Sequence, residues 1–308
     1  MTKQFDFLPN VTLPTTRIGW IGTGVMGQNM CRHLIQAGYR ATIYNRTPSK
    51  ASPLLELGAK WAATPADVAR ESDVVFTMVG YPCDVREILL GENGLFSTLA
   101  ANSVVADMTT SSPELAKILF AEAQKRRIHL LDAPVSGGDI GAKEAKLSIM
   151  IGGEKAVADM LRPCFELLGQ NIIYHGKAGS GQHAKMVNQI LVATNMIGQC
   201  EGLLYAYRAG LNLDNVLKSI AAGAAGSWSL SNLAPRILAG NFDPGFYVEH
   251  LVKDLGIALE ECRRMSLTLP GLELADILFR LTVAHGYARK GTQALLLALA
   301  EITKTDWK

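Results

Sequence analysis

The chain has 308 residues, 48% of them hydrophobic, and a formal net charge of +2 at pH 7. That length accommodates two domains with sizeable cores, and the interspersed, nearly balanced charge excludes a nucleic-acid footprint. No apolar run is long enough to span a bilayer, so a membrane partner is not expected. The five cysteines, Cys31, Cys83, Cys164, Cys200 and Cys262, are odd in number and lack Cys-x-x-Cys spacing, which supports neither a disulfide framework nor a zinc site. Each reads as a small buried apolar residue, and a cytoplasmic setting is expected.

Residues 1–16 lack the apolar core of a signal peptide and read as an N-terminal extension. From Arg17 an apolar strand runs into Gly22-Thr23-Gly24-Val25-Met26-Gly27 and then into a helical pattern through Leu34-Ile35. Gly22 permits the tight bend, Gly24 lets backbone approach a pyrophosphate, and Gly27 lets the helix pack on the strand. A second strand at residues 40–44 completes a βαβ unit, the context that makes the glycine spacing a dinucleotide-binding fingerprint. Where an NAD-binding unit usually places an acidic residue, the sequence reads Asn45-Arg46-Thr47. A guanidinium pairs with a 2′-phosphate in charge-assisted geometry, so NADP(H) is favoured over NAD(H). Met78, Val79 and Gly80, where the strand beginning at Asp73 ends, complete this group of candidate cofactor contacts.

Further β-rich runs at residues 103–107, 128–132, 147–151 and 171–175 alternate with helical patterns, which predicts a doubly wound α/β fold with a mainly parallel sheet. Strand patterns stop at the glycine-rich segment 176–181, and helical ones continue to the end. The expected organisation is a Rossmann-type NADP-binding domain over 17–178 and an all-helical substrate and dimerisation domain over 179–308. The helix from about Gln182 to Arg208, roughly 40 Å long at 1.5 Å per residue, is apolar on most sides and reads as a buried spine. Gln182, Lys185, Asn188, Gln189, Asn195 and Gln199 gather in one sector of it as a polar seam. Its apolar character predicts a homodimer or homotetramer.

Three segments have the residue types for catalysis. Asp107-Met-Thr-Thr110 ends a strand with hydroxyls, Ser136-Gly137-Gly138 offers a serine and bare amides that suit a carboxylate, and Lys185 and Asn188 lie three apart on the spine helix. The six histidines show no metal-ligand spacing, and no metal site is expected.

The ordered set of glycine turn, Asp-x-Thr-Thr-x-x-Pro, Asp-Ala-Pro-Val-Ser-Gly-Gly and Gly-x-Gly-x-x-x-Lys-x-x-Asn resembles the β-hydroxyacid dehydrogenase family. That family includes 3-hydroxyisobutyrate dehydrogenases, tartronate semialdehyde reductases and glyoxylate/succinic semialdehyde reductases. The resemblance covers nearly the whole chain after Thr16, and members often carry Ser-Thr where this chain has Thr109-Thr110. It implies a reversible, NADP-linked reduction of a small carboxylate substrate, with Lys185 as proton donor and acceptor and Asn188 orienting lysine or substrate. It further implies that Ser136, Gly137 and Gly138 hold the substrate carboxylate, that Thr110 lies beside nicotinamide and substrate, that Gln189 assists, and that Lys253 lies by the cofactor. An imine reductase on the same fold and a non-catalytic NADP-binding scaffold are the rival readings, and retention of Lys185, Asn188 and Ser136 together argues against the scaffold.

Overall fold

A computed structural model describes residues 11–12 and 15–307. The expected N-terminal extension therefore lies largely outside the described residues. Strands β1 (Arg17–Ile21), β2 (Arg40–Tyr44), β3 (Lys60–Trp61), β4 (Val74–Thr77), β5 (Val104–Asp107), β6 (His129–Asp132), β7 (Val135–Ser136), β8 (Leu147–Gly152) and β9 (Gly169–Gly176) form one sheet. Its order is β3-β2-β1-β4-β5-β6-β8-β7, with β9 also paired to β8. All pairings among β1 to β6 are parallel, while β8 runs antiparallel to β6 and β7 and parallel to β9. The order reverses at β1, with β2 on one side and β4 on the other, and ligands of such sheets bind beyond the carboxyl ends of the strands at that point.

Near-continuous apolar strands follow from burial on both faces. Val74, Phe76, Val104, Ala106 and Leu131 join one core with Trp20, Met30 and Phe165, whereas the alternating Val75, Val105 and Leu130 join a second core with Val68, Leu89 and Leu119. The period of two along a strand separates these two sets.

The chain divides into two units, Met1–Lys185 and Met186–Lys308. The division falls inside the long helix Ser180–Arg208. Beyond it, the helices Leu213–Ile220, Trp228–Asn232, Ala234–Leu238, Val248–Arg264, Pro270–Thr282 and Leu295–Ile302 follow. The core of this second unit gathers Met196, Cys200 and Leu203 of the long helix against Leu251, Leu255 and Ala258, with Phe279 and Leu295.

Two expectations need correction. The long helix is not buried on all sides, since Val187, Leu191 and Tyr205 are exposed by 59%, 56% and 77%. Its second-unit core occupies one face only, so apolar residues on the opposite face stay outside it. Cys83 is exposed near the start of the helix Pro82–Leu90, while Cys31, Cys164, Cys200 and Cys262 are buried as expected.

Candidate active site

The glycine turn follows β1 directly. Gly22 has φ of +95°, and a Cβ there would lie 2.1 Å from the Met78 carbonyl oxygen; at Gly27 a Cβ would lie 2.0 Å from the Gly22 carbonyl oxygen. Only glycine lets the helix Val25–Gln36 start so close to the sheet. Around Gly24 no atom lies within 4 Å of a built Cβ, leaving the backbone accessible at the head of the helix. Thr23 donates its amide to Asn45 Oδ1 at 2.9 Å, and Asn45 Nδ2 donates to the Thr47 carbonyl at 2.8 Å. Asn45 thereby latches the loop after β2 to the glycine turn. The buried Thr23 Oγ1 makes no hydrogen bond among the described residues. An open backbone, a helix N-terminus and a buried hydroxyl with spare capacity suit the phosphates of a dinucleotide.

Arg46 stands out from this loop with its side chain 84% exposed, and its Nη1 lies 3.1 Å from Asp84 Oδ1. The other oxygen of Asp84 accepts the Tyr81 amide at 3.2 Å, part of a capping box on the helix Pro82–Leu90. Arg46 is therefore held at the surface by a carboxylate 38 residues on, a pairing invisible in sequence.

At the carboxyl ends of β4, β5 and β6 the polar side chains form a continuous web. Asp107 Oδ1 accepts Thr77 Oγ1 at 2.7 Å and the Thr109 amide at 3.1 Å, and Thr109 Oγ1 accepts the Val79 amide at 3.0 Å. Thr109 is 1% exposed and committed to this web, whereas Thr110 is only half-buried. Asp132 sits beside Asp107 in the parallel register. Its two oxygens accept the amides of Gly179 and Gln182 at 2.8 and 2.9 Å. Burial pushes the Asp132 carboxyl up to about 6, against the downward pull of those amides and with a further upward push from Asp107. Gln182 completes the web, its Oε1 accepting the Ser111 amide at 2.9 Å and its Nε2 donating to the Thr109 carbonyl at 2.8 Å. Lys185, one turn further along, is 6% exposed.

The predicted carboxylate cradle occupies a short strand and turn. Ser136 pairs with Ser148 across β7 and β8, and Gly137 and Gly138 both have positive φ, +131° and +63°. The helix Gly138–Lys143 follows, and His33 Nε2 lies 3.0 Å from its Ala142 carbonyl.

In the second unit a different network appears. Asn188 Nδ2 donates to Gln189 Oε1 at 2.7 Å, and Gln189 Nε2 donates to Asp254 Oδ2 at 2.5 Å. Asp254 Oδ1 forms an ion pair with Lys253 Nζ at 2.9 Å, with side chains 12% and 1% exposed for Lys253 and Asp254. Thus Asn188, Gln189 and Lys253 are brought together by Asp254, and Thr110, Lys185 and the glycine turn belong to the other unit. Of the polar seam, Gln182, Lys185, Gln189 and Gln199 are buried, while Asn195 is exposed. Asp107, Asp132, Asp84 and Asp254 have no assigned role in the sequence alone. Asp107 and Asp132 each end a strand, which was their one local signal.

A family model described as the NAD binding domain of 6-phosphogluconate dehydrogenase matches residues 17–176. A second, described as NAD-binding of NADP-dependent 3-hydroxyisobutyrate dehydrogenase, matches residues 179–299. The chain belongs to the β-hydroxyacid dehydrogenase family. It is 53% identical over 297 residues to a probable 3-hydroxyisobutyrate dehydrogenase-like protein 1, mitochondrial, of Arabidopsis thaliana, covering 96% of this chain and 89% of the relative. A 2-hydroxy-3-oxopropionate reductase of Escherichia coli is 38% identical, over 92% of this chain and 97% of the relative. The crystal structure of a 3-hydroxyisobutyrate dehydrogenase from Salmonella typhimurium superposes with a TM-score of 0.84 at 26% identity, covering 92% of this chain and 99% of that one. This family member is accordingly an oxidoreductase that binds a pyridine nucleotide, built as a Rossmann-type sheet followed by helices.

Proposed function

We propose that this enzyme reduces small carboxylates bearing an aldehyde or ketone with NADPH, and runs in reverse as a dehydrogenase of the matching hydroxy acids. The observation that carries the reading is Lys185, a nine-tenths buried lysine one turn beyond the web at the carboxyl ends of β5 and β6. The relatives support the substrate class, being named for 3-hydroxyisobutyrate and 2-hydroxy-3-oxopropionate. Gly22, Thr23, Gly24, Val25, Met26 and Gly27 would hold the pyrophosphate, with Met78, Val79, Gly80, Thr110 and Lys253 contacting the remainder of the cofactor. The nicotinamide supplies a hydride to the carbonyl carbon, or accepts one from the hydroxy acid.

As the carbonyl oxygen gains charge, Lys185 Nζ donates a proton to it, leaving a hydroxyl group and a neutral amine that solvent reprotonates. In the oxidising direction the neutral amine removes that proton. Ser136 with the amides of Gly137 and Gly138 holds the carboxylate, while Asn188 and Gln189 orient the reacting end. Arg46 receives the 2′-phosphate, and this requires the guanidinium to share or leave Asp84.

Turnover with NADPH over glyoxylate, succinic semialdehyde, tartronate semialdehyde and methylmalonate semialdehyde tests the reading, with Lys185→Ala as the control. At least one of these compounds is expected to turn over, and Lys185→Ala is expected to lower kcat by about 100- to 10,000-fold with NADPH binding intact. Near-normal turnover by that variant sinks the assignment.

A further inference from the structure

We propose that Asp132 and Gln182 are positioning residues that set where Lys185 stands, by clasping the first turn of the long helix to the carboxyl ends of β5 and β6. The inference rests on the reading of Lys185 as the proton-transferring group. Four hydrogen bonds converge on this turn. Two run from the amides of Gly179 and Gln182 to the separate oxygens of Asp132, and two join both ends of the Gln182 amide to the backbone of Thr109 and Ser111.

Every partner is buried, with Asp132 3% and Gln182 0% exposed. The first amides of a helix have no partner within the helix, and helix ends fray unless something outside takes them. Here a carboxylate takes two of them, and charge-assisted bonds of this kind are stronger than neutral ones. The clasp extends into the sheet, because Thr109 is itself held to Asp107 and Val79.

Close packing leaves the turn little room to slide. A Cβ at Gly181 would lie 2.3 Å from the Met150 carbonyl oxygen, and one at Gly152 would lie 2.6 Å from Asp132 Oδ1. The glycine of this motif next to Gln182 is thereby explained by contact with the sheet. Lys185 follows Gln182 by three residues, so displacement of the turn is transmitted to the lysine through one turn of helical backbone. A misplacement of about 1 Å in a reacting group can lower a rate about 100-fold.

A purely structural clasp and a positioning clasp differ in their response to pH. Among the described residues, Asp107 on β5 is the ionisable group that acts on Asp132; the helix offers backbone amides and Gln182 to it, and β8 offers Gly152. Protonation of Asp132 turns one acceptor oxygen into a donor, so one of the two amides loses its partner. The Asp132 carboxyl, pushed up to about 6, should therefore give kcat an acid limb near that pH. Stability runs the opposite way. A carboxyl raised in the folded state contributes most below its ordinary range, and that contribution is lost as pH rises through about 6. The charged form that holds both amides at neutral pH is thus the less stabilising one.

The experiment compares the full-length wild-type protein with Asp132→Asn, Gln182→Met and Lys185→Ala, reading kcat, KM, NADPH binding and Tm from about pH 5 to 9. Asp132→Asn and Gln182→Met are expected to lower kcat about 10- to 100-fold with NADPH affinity unchanged. The acid limb near pH 6 should be present in the wild type and in Gln182→Met, and absent in Asp132→Asn. Wild-type kcat and an unaltered pH profile in both variants overturn the proposal, as does a loss of activity that only parallels loss of Tm and NADPH binding. If Asp132→Asn does not fold, Gln182→Met decides by its kcat. Full activity of Lys185→Ala overturns the catalytic reading itself, an outcome distinct from failure of the clasp.

Discussion

Asp132 and Asp254 are both buried carboxylates, one in each unit, yet they hold different things. Asp132 accepts two backbone amides and, among the described residues, no cation in its hydrogen bonds, so burial drives its carboxyl upward. Asp254 accepts the side chain of Gln189 and pairs with the Lys253 ammonium, so its charge is balanced inside the second unit. Backbone amides move only with the chain, and a carboxylate bound to them fixes where a helix begins. Side chains rotate about their own bonds, and a carboxylate bound to them fixes how they point. The first unit uses its buried acid to locate a helix, and the second uses its buried acid to orient Gln189, Asn188 and Lys253.

That contrast can be broken by measurement. The largest effect on stability is expected from Asp254→Ala, which removes the buried carboxylate shared by Lys253 and Gln189 and should lower unfolding free energy by about 3–5 kcal/mol in denaturant titrations. A loss below about 1 kcal/mol would show that the pair is not balanced as described. Next comes pH. Between neutral pH and about pH 4, the wild type should gain roughly 2–3 kcal/mol relative to Asp132→Asn, because the folded-state carboxyl takes up its proton at a higher pH than the unfolded one. An identical pH dependence in the two proteins would remove the distinction between the two acids.

Arg46→Ala should raise the Kd for NADPH about tenfold and leave that for NADH nearly unchanged, since only the former carries the 2′-phosphate that the guanidinium would meet. Equal changes for both cofactors would assign Arg46 to the shared adenosine rather than to the phosphate. The smallest effect belongs to exposed pairs such as Arg162–Glu166, where both side chains are 56% exposed. Arg162→Ala should shift stability by less than about 0.5 kcal/mol in the same titrations, the level against which the buried acids are judged.

Much of the first unit was legible because its signals are local. Strand periodicity, glycine spacing and the apolar run before the turn all act over fewer than a dozen residues, and each corresponds to an element found in the sheet. Lys60–Trp61 and Val135–Ser136 are not legible as strands because two residues carry no period. The antiparallel direction of β8 is likewise unwritten in its sequence, since the alternation of buried Leu147, Ile149 and Ile151 with half-buried Ser148 and Met150 tells which face is covered and not which way the strand runs. Lys185, Asn188 and Gln189 stand out in the polar seam of the long helix and Lys253 through the family resemblance, whereas Asp254, next to Lys253, has no role in the sequence reading. Its partner Gln189 is 65 residues away.

The sequence by itself determined the doubly wound class and the dinucleotide turn, because backbone propensity and hydrophobic period are properties of neighbours along the chain. Only the tertiary structure decided that Asp132 grips residues 179 and 182, that Arg46 rests on Asp84, and that Val187, Leu191 and Tyr205 stay exposed. Those outcomes depend on which distant segments meet and which face of a helix a core covers. Burial and partnership of this kind are created by folding, and they have no local counterpart in the order of the residues.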